Sequence, residues 1–457
     1  MELYATLNLG LIKENTSPYL INNEYALRGA VAFVNELVDY VERSKSHKSI
    51  PQLLLAVSIL EEVVQFRRQN LEDKILLARL YLWLGKIGPA IELCNSVIEA
   101  RGFDFLALHI RGVCYLEDGK KKQALEDLEQ LNRIEPFHGL LAWNLANAYF
   151  HSNKLKQGWS IFNKANKVMG NTYPNIPSWD GGSLENKTIL LNQYNSEGGG
   201  DDIMFANMIP DITNLASRCY IEVDPRSYPL YKRSFLDSYV FLSGKRIWKS
   251  PKEIDFQVTL PELGAIFRPT KSSFPRNPGY LKVDDLALDK WKQKLVNIAG
   301  SSLKVGICWR SMISIGLTGS FSTSIEDWEE VFSVPNIAFF NLQYDESEEE
   351  RLLAETLFGV DFHRLPSIDL MTDFDSIGAV CKTMDVVVSP ATTISMIASS
   401  VGALVWELRP KHTSLCMSNL PWFPRRKVYE REWRERWVQV LGRLALDLRV
   451  LANGKNE

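Results

Sequence analysis

The sequence predicts a helical repeat array followed by two α/β halves, and three observations lead to this fold class. The first is an internal repeat with a period of 34 residues in the N-terminal third of the chain. The second is an alternation of short β-rich and helical segments beyond it, which is typical of parallel sheets with crossover helices. The third is a pair of Pro- and Gly-rich breaks, near 171–183 and 269–279. We therefore predict domains over residues 1–170, 171–275 and 276–457.

The repeat is carried by residue types that recur at fixed positions of a two-helix unit. Its members are separated by 34 residues and comprise a tyrosine, a turn residue and a small residue: Tyr81, Tyr115 and Tyr149; Gly85, Gly119 and Asn153; Ala56, Ala90, Ala124 and Gly158. The small residue lets two antiparallel helices touch, the tyrosine fills the gap beside them, and the glycine permits a left-handed turn. This is the tetratricopeptide pattern, with three clear repeats over about 70–170 and a degenerate one before them.

Two interpretations of this predicted α-solenoid remain open. Its concave face holds a peptide or protein partner, or the array is a cap that stabilises the next domain.

Eight strands are predicted in the α/β region by short apolar runs: 187–193, 218–223, 238–242, 254–259, 304–309, 337–343, 385–389 and 403–408. Helices are predicted between and after them: 202–216, 226–235, 284–298, 346–357, 372–382, 392–400 and a terminal helix over about 427–452. The alternation gives two Rossmann-like halves. A ligand of such sheets lies at the carboxyl ends of the strands.

Composition and charge exclude several classes of function. The formal net charge is −3, with 52 Lys and Arg against 55 Asp and Glu, which argues against binding to nucleic acid or to an anionic membrane. The six cysteines include no CxxC pair, so a zinc site or redox motif is not expected. The chain shows neither a signal-peptide pattern at its N-terminus nor an apolar run of about 18 residues. We therefore expect a cytoplasmic location.

A glycine-rich turn follows the first predicted strand of the α/β region. Gly198, Gly199 and Gly200 precede Asp201 and Asp202, which begin the next predicted helix. Glycines let backbone amides approach a ligand closely, and a helix N-terminus directs free N–H groups outward. The other interpretation is an ordinary strand-to-helix turn with a capping aspartate.

Three motifs follow one another in the first half: Pro177-Ser-Trp-Asp-Gly181, Lys187-Thr-Ile-Leu-Leu191 and Gly198-Gly-Gly-Asp-Asp-Ile-Met-Phe205. They resemble P-x-W-D-G, K-T-L-L-L and G-L-G-D-T-I-Q-F of the tetratricopeptide-linked glycosyltransferases related to the heptosyltransferases. In this turn Gly199 stands where the family has leucine, and Asp202 where it has threonine.

The second half carries further motifs of the same family. Val305-Gly-Ile-Cys-Trp-Arg-Ser311 is similar to V-G-I-S-W-R-S, Phe340-Asn-Leu-Gln-Tyr344 to F-V-N-L-Q-Y, and Pro421-Trp-Phe-Pro424 to P-W-Y-P. The match extends over nearly everything beyond residue 175. One departure concerns the family's D-T-x-x-x-H motif. Here Ala391 stands where the motif has aspartate and Met396 where it has histidine, with Thr392 retained, which weakens any expectation of a heptose donor.

The resemblance implies a GT-B-like pair of Rossmann-like domains and a metal-independent inverting glycosyltransferase. It would move a sugar from a nucleotide-sugar donor to a protein or glycan acceptor, with no cofactor, and the repeats would recruit the acceptor or a protein partner. The first half would face the acceptor and the second half the nucleotide sugar. The alternative is a catalytically degenerate GT-B scaffold that acts as a protein-interaction module. The sugar, the nucleotide, the acceptor and the oligomeric state are not indicated by the sequence.

The resemblance also places the catalytic base at Asp201, since the relatives carry this carboxylate on the G-D of the glycine turn. A neighbouring carboxylate, here Asp202, would raise one pKa of the pair, which suits a base. Alternatively, the two aspartates only cap the helix.

Donor-binding residues are expected where strands of the second half end. Ser389, Thr392 and Thr393 offer hydroxyls and N–H groups at a strand-to-helix turn, where they bind phosphate or simply cap the helix. Arg310 is the best single cation for the leaving diphosphate, because arginine fits phosphate bidentately; the alternative is a solvated loop charge. Ser311 begins the loop that follows it.

Gln343 and Tyr344 end the next strand of the second half. In one interpretation they line the donor-binding cleft between the two halves. In the other they satisfy hydrogen bonds in the core.

Overall fold

The computed structural model describes residues 24–44, 49–136, 139–168, 173–193, 199–245, 247–311, 321–365, 367–411, 420–432 and 435–454. These residues group into two compact units, one extending to Ala148 and the other beginning at Tyr149.

The N-terminal region consists of successive helices. Their bounds are α1 Glu24–Ser44, α2 Ile50–Phe66, α3 Leu71–Trp83, α4 Ile87–Arg101, α5 Phe105–Glu117, α6 Lys121–Ile134, α7 Gly139–His151 and α8 Leu155–Val168. The first helices of the three predicted repeats begin at Leu71, Phe105 and Gly139, each 34 residues after the last. The predicted period is therefore present in the helix boundaries themselves.

The turn residues of the repeat explain why the helix pairs recur. Gly85 and Gly119 have φ angles of 71° and 72°, and Asn153 has 58°, so all three adopt the left-handed conformation that glycine and asparagine tolerate best. The small residues Ala90 and Ala124 have no exposed surface, as the close approach of two helices requires. The prediction of a helical repeat array is confirmed.

The first α/β half contains a four-stranded parallel sheet. Its elements are β1 Thr188–Asn192, α9 Gly200–Phe205, α10 Ile209–Thr213, β2 Arg218–Val223, α11 Tyr228–Ser234, β3 Tyr239–Leu242, β4 Phe256–Thr259 and α12 Gly264–Phe267. The strand order is β3-β2-β1-β4, with Leu191 opposite Ile221 and Val258.

The second α/β half contains a six-stranded parallel sheet of order β10-β9-β8-β5-β6-β7. Its elements are α13 Asp285–Ala299, β5 Leu303–Ile307, α14 Glu329–Phe332, β6 Ile337–Asn341, α15 Glu348–Phe358, β7 Phe362–His363, α16 Phe374–Thr383, β8 Val386–Pro390, α17 Thr393–Ser400, β9 Val405–Pro410, β10 Arg426–Arg431 and α18 Trp437–Gly454. Leu441, Leu444 and Leu448 of α18 are fully buried in the core of this half. The predicted α/β layout is confirmed.

Two predicted helices differ from the structure. The terminal helix was expected over about 427–452, but 426–431 forms strand β10 and the helix begins at Trp437. The segment joins the sheet because its backbone pairs with β9 and Tyr429 is buried. The predicted helix over 202–216 is divided into α9, a 3₁₀ turn and α10, and Pro210 explains the break because its ring clashes with the preceding turn.

Helix α8 packs into the α/β unit through Trp159. Its indole Nε1 donates a hydrogen bond of 2.9 Å to the carbonyl of Arg268. The ring lies edge-on to Phe205 and Trp422, and a Cβ at Gly264 would lie 2.6 Å from it. A glycine at position 264 is therefore required for this contact.

Candidate functional site

The glycine turn of the first half follows β1, at the carboxyl end of its sheet. Gly198 lies outside the described residues, and the turn is described from Gly199 onward. Gly199 has φ 72° and ψ −8°, a left-handed conformation that strains any residue with a Cβ. It precedes Gly200, the first residue of α9, and so places Asp201 in the first helical turn.

Asp201 is half-buried, and no hydrogen bond or ion pair holds its carboxylate within the described part of the chain. Burial alone raises its pKa from 3.8 to about 6. The sequence had suggested a different cause, repulsion from Asp202. The structure replaces that cause with desolvation.

Asp202 has a different environment from its neighbour. It is buried, and its Oδ2 accepts a hydrogen bond of 3.4 Å from Nε2 of Gln193, at the end of β1. Its backbone carbonyl accepts one of 3.0 Å from the hydroxyl of Tyr231 on α11. Asp202 therefore ties the turn to the neighbouring elements of the first half, whereas the Asp201 carboxylate has no hydrogen-bond partner among the described residues.

The glycine turn lies against the second half of the α/β unit. A Cβ on Gly200 would lie 3.4 Å from Oγ1 of Thr393 and 3.5 Å from its Cα. Thr393 is the first residue of α17, in the predicted donor loop. The structure thus brings together the predicted acceptor-side turn and the predicted phosphate loop.

In that loop, the hydroxyls of Ser389 and Thr392 bond within the loop itself. Oγ of Ser389, which has no exposed surface, donates to the carbonyl of Pro390 at 2.8 Å and lies 3.0 Å from Oγ1 of Thr392. The N–H of Thr392 donates to Oγ of Ser395 at 3.1 Å. Thr393 is half-buried and takes part in a further interaction.

Gln343 connects the ends of β5 and β6. Its Oε1 accepts from the backbone N–H groups of Trp309 and Arg310 at 3.1 and 3.2 Å. Its Nε2 donates to the carbonyl of Arg310 at 3.1 Å and to Oδ1 of Asp345 at 3.0 Å. Both ends of this buried amide are therefore satisfied by protein groups, which is the core role that the sequence left open.

The thiol of Cys308 lies between Gln343 and the donor loop. Its Sγ is 3.4 Å from Oε1 of Gln343 and 3.9 Å from Oγ1 of Thr392. Burial raises the pKa of this thiol to about 12, so it packs and donates as a neutral group.

Arg310 is buried and surrounded by carboxylates. Its Nε donates to Glu350 at 3.0 and 3.1 Å, and its Nη1 bonds to Asp345. Nη2 donates to the carbonyl of Glu346 at 3.2 Å. Burial disfavours its charge, but the hydrogen bonds to Glu350 and Asp345 outweigh that effect and raise its pKa.

Ser311 and Tyr344 follow these two groups and are half-buried. The N–H of Ser311 donates to Oγ of Ser322 at 3.2 Å. Each of the two takes part in a further interaction, and their predicted roles as donor ligands stay predictions.

No protein-family model matches the chain. Protein FlbA of Caulobacter vibrioides is 26% identical over an alignment of 370 residues, and the match covers 76% of this chain. The chain spans 61% of the length of FlbA.

Solved structures similar to this chain include two glycosyltransferases. The family 9 glycosyltransferase of Veillonella parvula is 9% identical, with a TM-score of 0.42, over 61% of this chain and 98% of its own. A Thermobaculum terrenum O-GlcNAc transferase mutant is 15% identical, with a TM-score of 0.33, over 93% of this chain and 92% of its own. A structure of MamA is 20% identical, with a TM-score of 0.24, over 26% and 67%.

Sequence reasoning did not single out Arg226, a cation that lies beside the glycine turn. It follows β2 and donates from Nε and Nη2 to the two carboxylate oxygens of Asp224, both at 2.9 Å. Its guanidinium lies over the ring of Phe374, the first residue of α16, at 5.0 Å from the centroid. The available signal was its position just beyond the carboxyl end of the predicted strand 218–223.

Neither a metal centre nor a membrane span is found in the parts of the chain that the structure describes. Over those ranges, no three His, Cys, Asp or Glu side chains are placed to hold a metal ion. Likewise, no described helix combines the length and apolar character needed to cross a bilayer.

Proposed function

We propose that this chain is a metal-independent inverting glycosyltransferase of GT-B type that uses a nucleotide-sugar donor. The acceptor is a protein or a glycan, and the helical repeats recruit it or a partner protein. The proposal includes a cytoplasmic location. The observation that carries it is Asp201, a half-buried carboxylate without a partner among the described residues, at the strand-to-helix turn where the resembling family has its base.

Asp201 is suited to general-base catalysis by its protonation behaviour. A base is most effective when its pKa is near the working pH, and burial raises that of Asp201 to about 6. In the reaction, the acceptor hydroxyl gives its proton to the Asp201 carboxylate, and its oxygen attacks the anomeric carbon of the donor sugar. The bond from that carbon to the diphosphate breaks, and the nucleoside diphosphate leaves with the electron pair.

The donor diphosphate is proposed to bind at the first turn of α17, beside Thr393. The N–H groups of a helix's first turn have no partners within the helix and point towards an anion. Ser389 and Thr392 hold this loop in shape, because their hydroxyls bond to each other. Gly200 lies against Thr393, which would bring donor and base to one place.

In this proposal Arg310 and Gln343 act on the donor site indirectly. The guanidinium of Arg310 is held by Asp345 and Glu350, and Gln343 holds the backbone on both sides of it. They fix the end of β5, so that Ser311, the residue that follows Arg310, is presented to the donor.

The decisive experiment is a transfer assay with a panel of nucleotide sugars, comparing Asp201→Asn with the unaltered protein. The variant should lose about 10²- to 10⁴-fold in transfer, the usual contribution of a positioned base. Donor affinity, measured by thermal shift, should stay nearly unchanged because the base acts on the acceptor. Asp289→Asn, at an exposed position of α13, is the matched control and should remain active.

Full activity of Asp201→Asn would remove Asp201 from the role of base. If no donor gave either turnover or a thermal shift, the glycosyltransferase proposal should be replaced by the second candidate function, a degenerate scaffold. One observation favours that candidate: the hydroxyls of Ser389 and Thr392 and the guanidinium of Arg310 all bond to protein groups.

A further inference from the structure

Arg226 lies three residues beyond the end of β2, and its side chain is held in one orientation. Its side chain forms two parallel hydrogen bonds of 2.9 Å with the carboxylate of Asp224, and its backbone N–H donates to the same carboxylate at 2.7 Å. The face of the guanidinium lies over Phe374, 5.0 Å from the ring centroid. One edge and one face of the group are therefore occupied, and little conformational freedom is left to lose on binding.

The space for this guanidinium exists because residue 199 is glycine. A Cβ on Gly199 would lie 3.2 Å from Nη2 of Arg226 and 3.3 Å from the ring of Phe374. Contacts of that length are closer than ordinary van der Waals separation, and the left-handed φ of 72° would add strain. Leucine, the residue in the resembling motif, would compete with Arg226 for this place.

The second edge of Arg226 remains open. Within the described residues, Nη1 of Arg226 makes no hydrogen bond, and the side chain keeps 25% of its surface exposed. The contrast is Arg310, which is 4% exposed and has Asp345 and Glu350 as ion-pair partners. Arg226 can accept a ligand without losing a protein partner, whereas Arg310 cannot.

We infer that Arg226 binds an anionic group, a phosphate or a carboxylate, of a substrate held at the glycine turn. Arginine suits this role because its planar fork matches either oxyanion and is charged at every working pH. The glycine turn contacts both Arg226 and Thr393, because Gly199 lies against Arg226 and the next residue, Gly200, lies against Thr393. The inference rests on the proposed function, which it deepens by naming the substrate chemistry.

The anionic group has two possible sources, the donor diphosphate or an acidic group of the acceptor. Arg226→Met retains most of the apolar stem and removes the fork. The KM of whichever substrate carries the anion should rise about 10- to 100-fold, as expected for loss of a charge-assisted hydrogen bond. Arg218→Met is the matched control, since Arg218 is exposed at the opposite end of the same strand. It should leave both KM values unchanged.

Calorimetry with inorganic pyrophosphate separates the two sources. Weaker pyrophosphate binding by Arg226→Met assigns the group to the donor. Unaltered pyrophosphate binding with a raised acceptor KM assigns it to the acceptor. Gly199→Ala provides a second variant with the charge retained, and it should reproduce part of the loss by displacing the guanidinium.

The inference is overturned if both KM values and pyrophosphate affinity are the same in Arg226→Met and in the unaltered protein. Failure of the proposed function gives a different result. If no sugar is transferred but pyrophosphate binds to the unaltered protein and binds more weakly to Arg226→Met, the anion-site proposal is retained and the glycosyltransferase proposal is dropped. If no sugar is transferred and pyrophosphate does not bind, both are dropped.

Discussion

Two strand-to-helix turns of the α/β unit, the glycine turn and the Ser389–Thr393 loop, differ in how their polar side chains are hydrogen-bonded. The glycine turn follows β1 and begins α9, and the Ser389–Thr393 loop follows β8 and begins α17. In the first, the Asp201 carboxylate has no partner among the described residues and burial raises its pKa to about 6. In the second, Ser389 and Thr392 bond to each other at 3.0 Å.

From this difference we predict which groups react and which hold a loop in shape. A half-buried carboxylate without a partner costs stability, so its presence points to a use. A hydroxyl pair that is buried and mutually bonded contributes to stability and is not available to a ligand. By the same criterion Arg226, with an open edge, belongs with Asp201, and Arg310, held by two carboxylates, belongs with Ser389.

The largest expected effect tests whether Arg310 belongs to the group that holds shape. Arg310→Ala leaves the carboxylates of Asp345 and Glu350 without their cation, and we expect a loss of about 3–5 kcal/mol in the free energy of unfolding. Denaturant titration measures it. Arg276→Ala, at an exposed position, should change stability by less than about 0.5 kcal/mol. An Arg310→Ala protein of normal stability with weakened donor binding would instead make Arg310 a ligand.

The next effect concerns the stability cost of Asp201. The pKa of Asp201 is 3.8 in the unfolded chain and about 6 in the folded protein. Between these two pH values the folded protein therefore keeps a proton on Asp201 that the unfolded chain has released. Stability therefore falls as the pH rises through that window, and the full cost applies above pH 6. Asp201→Asn should be more stable by about 1–3 kcal/mol at pH 8 and equal to the unaltered protein near pH 3.5.

Denaturant titrations of both proteins across this pH range would measure the difference. A stability gain that was independent of pH would contradict the burial of a charged Asp201.

The period of the repeat array and its turn residues could be predicted from the sequence, whereas the contacts of the candidate site could not. A 34-residue period and its left-handed turn residues are local properties, so Gly85 and Gly119 mark the helix ends correctly. Strand 218–223 was likewise predicted with its observed bounds. Strand β10 was missed because Arg426–Arg431 has too few apolar residues to indicate a strand, and its pairing with β9 is a tertiary contact.

The partners of charged groups were beyond sequence reasoning for the same reason. The sequence predicts that Arg310 binds a phosphate, but in the structure its guanidinium bonds to Asp345 and Glu350. These residues lie 35 and 40 positions later in the chain, so the sequence near Arg310 does not indicate them. The contact of Arg226 with Phe374 joins residues from the two halves of the unit. Only the folded chain reveals which cation retains an open edge.

A smaller effect is expected in the pH dependence of transfer. Because Asp201 acts only when ionised, kcat/KM should fall about tenfold for each pH unit below about 6 and level off above it. Initial rates from pH 4.5 to 8 measure this profile, with Asp289→Asn as the control that retains the acid limb. A midpoint near 4 would mean that Asp201 is solvated in the working enzyme or is not the base.

The smallest expected effect lies in the Ser389–Thr393 loop. Ser389→Ala removes the donor to the carbonyl of Pro390 and the bond to Thr392, at a position with no exposed surface. We expect a loss of about 1 kcal/mol in the free energy of unfolding, the net worth of a buried hydrogen bond, and a donor KM within about twofold of normal. The two measurements separate the alternatives, since a ligand contact would change the donor KM with little change in stability. A raised donor KM at normal stability would show that Ser389, like Asp201 in the proposal, acts on the substrate.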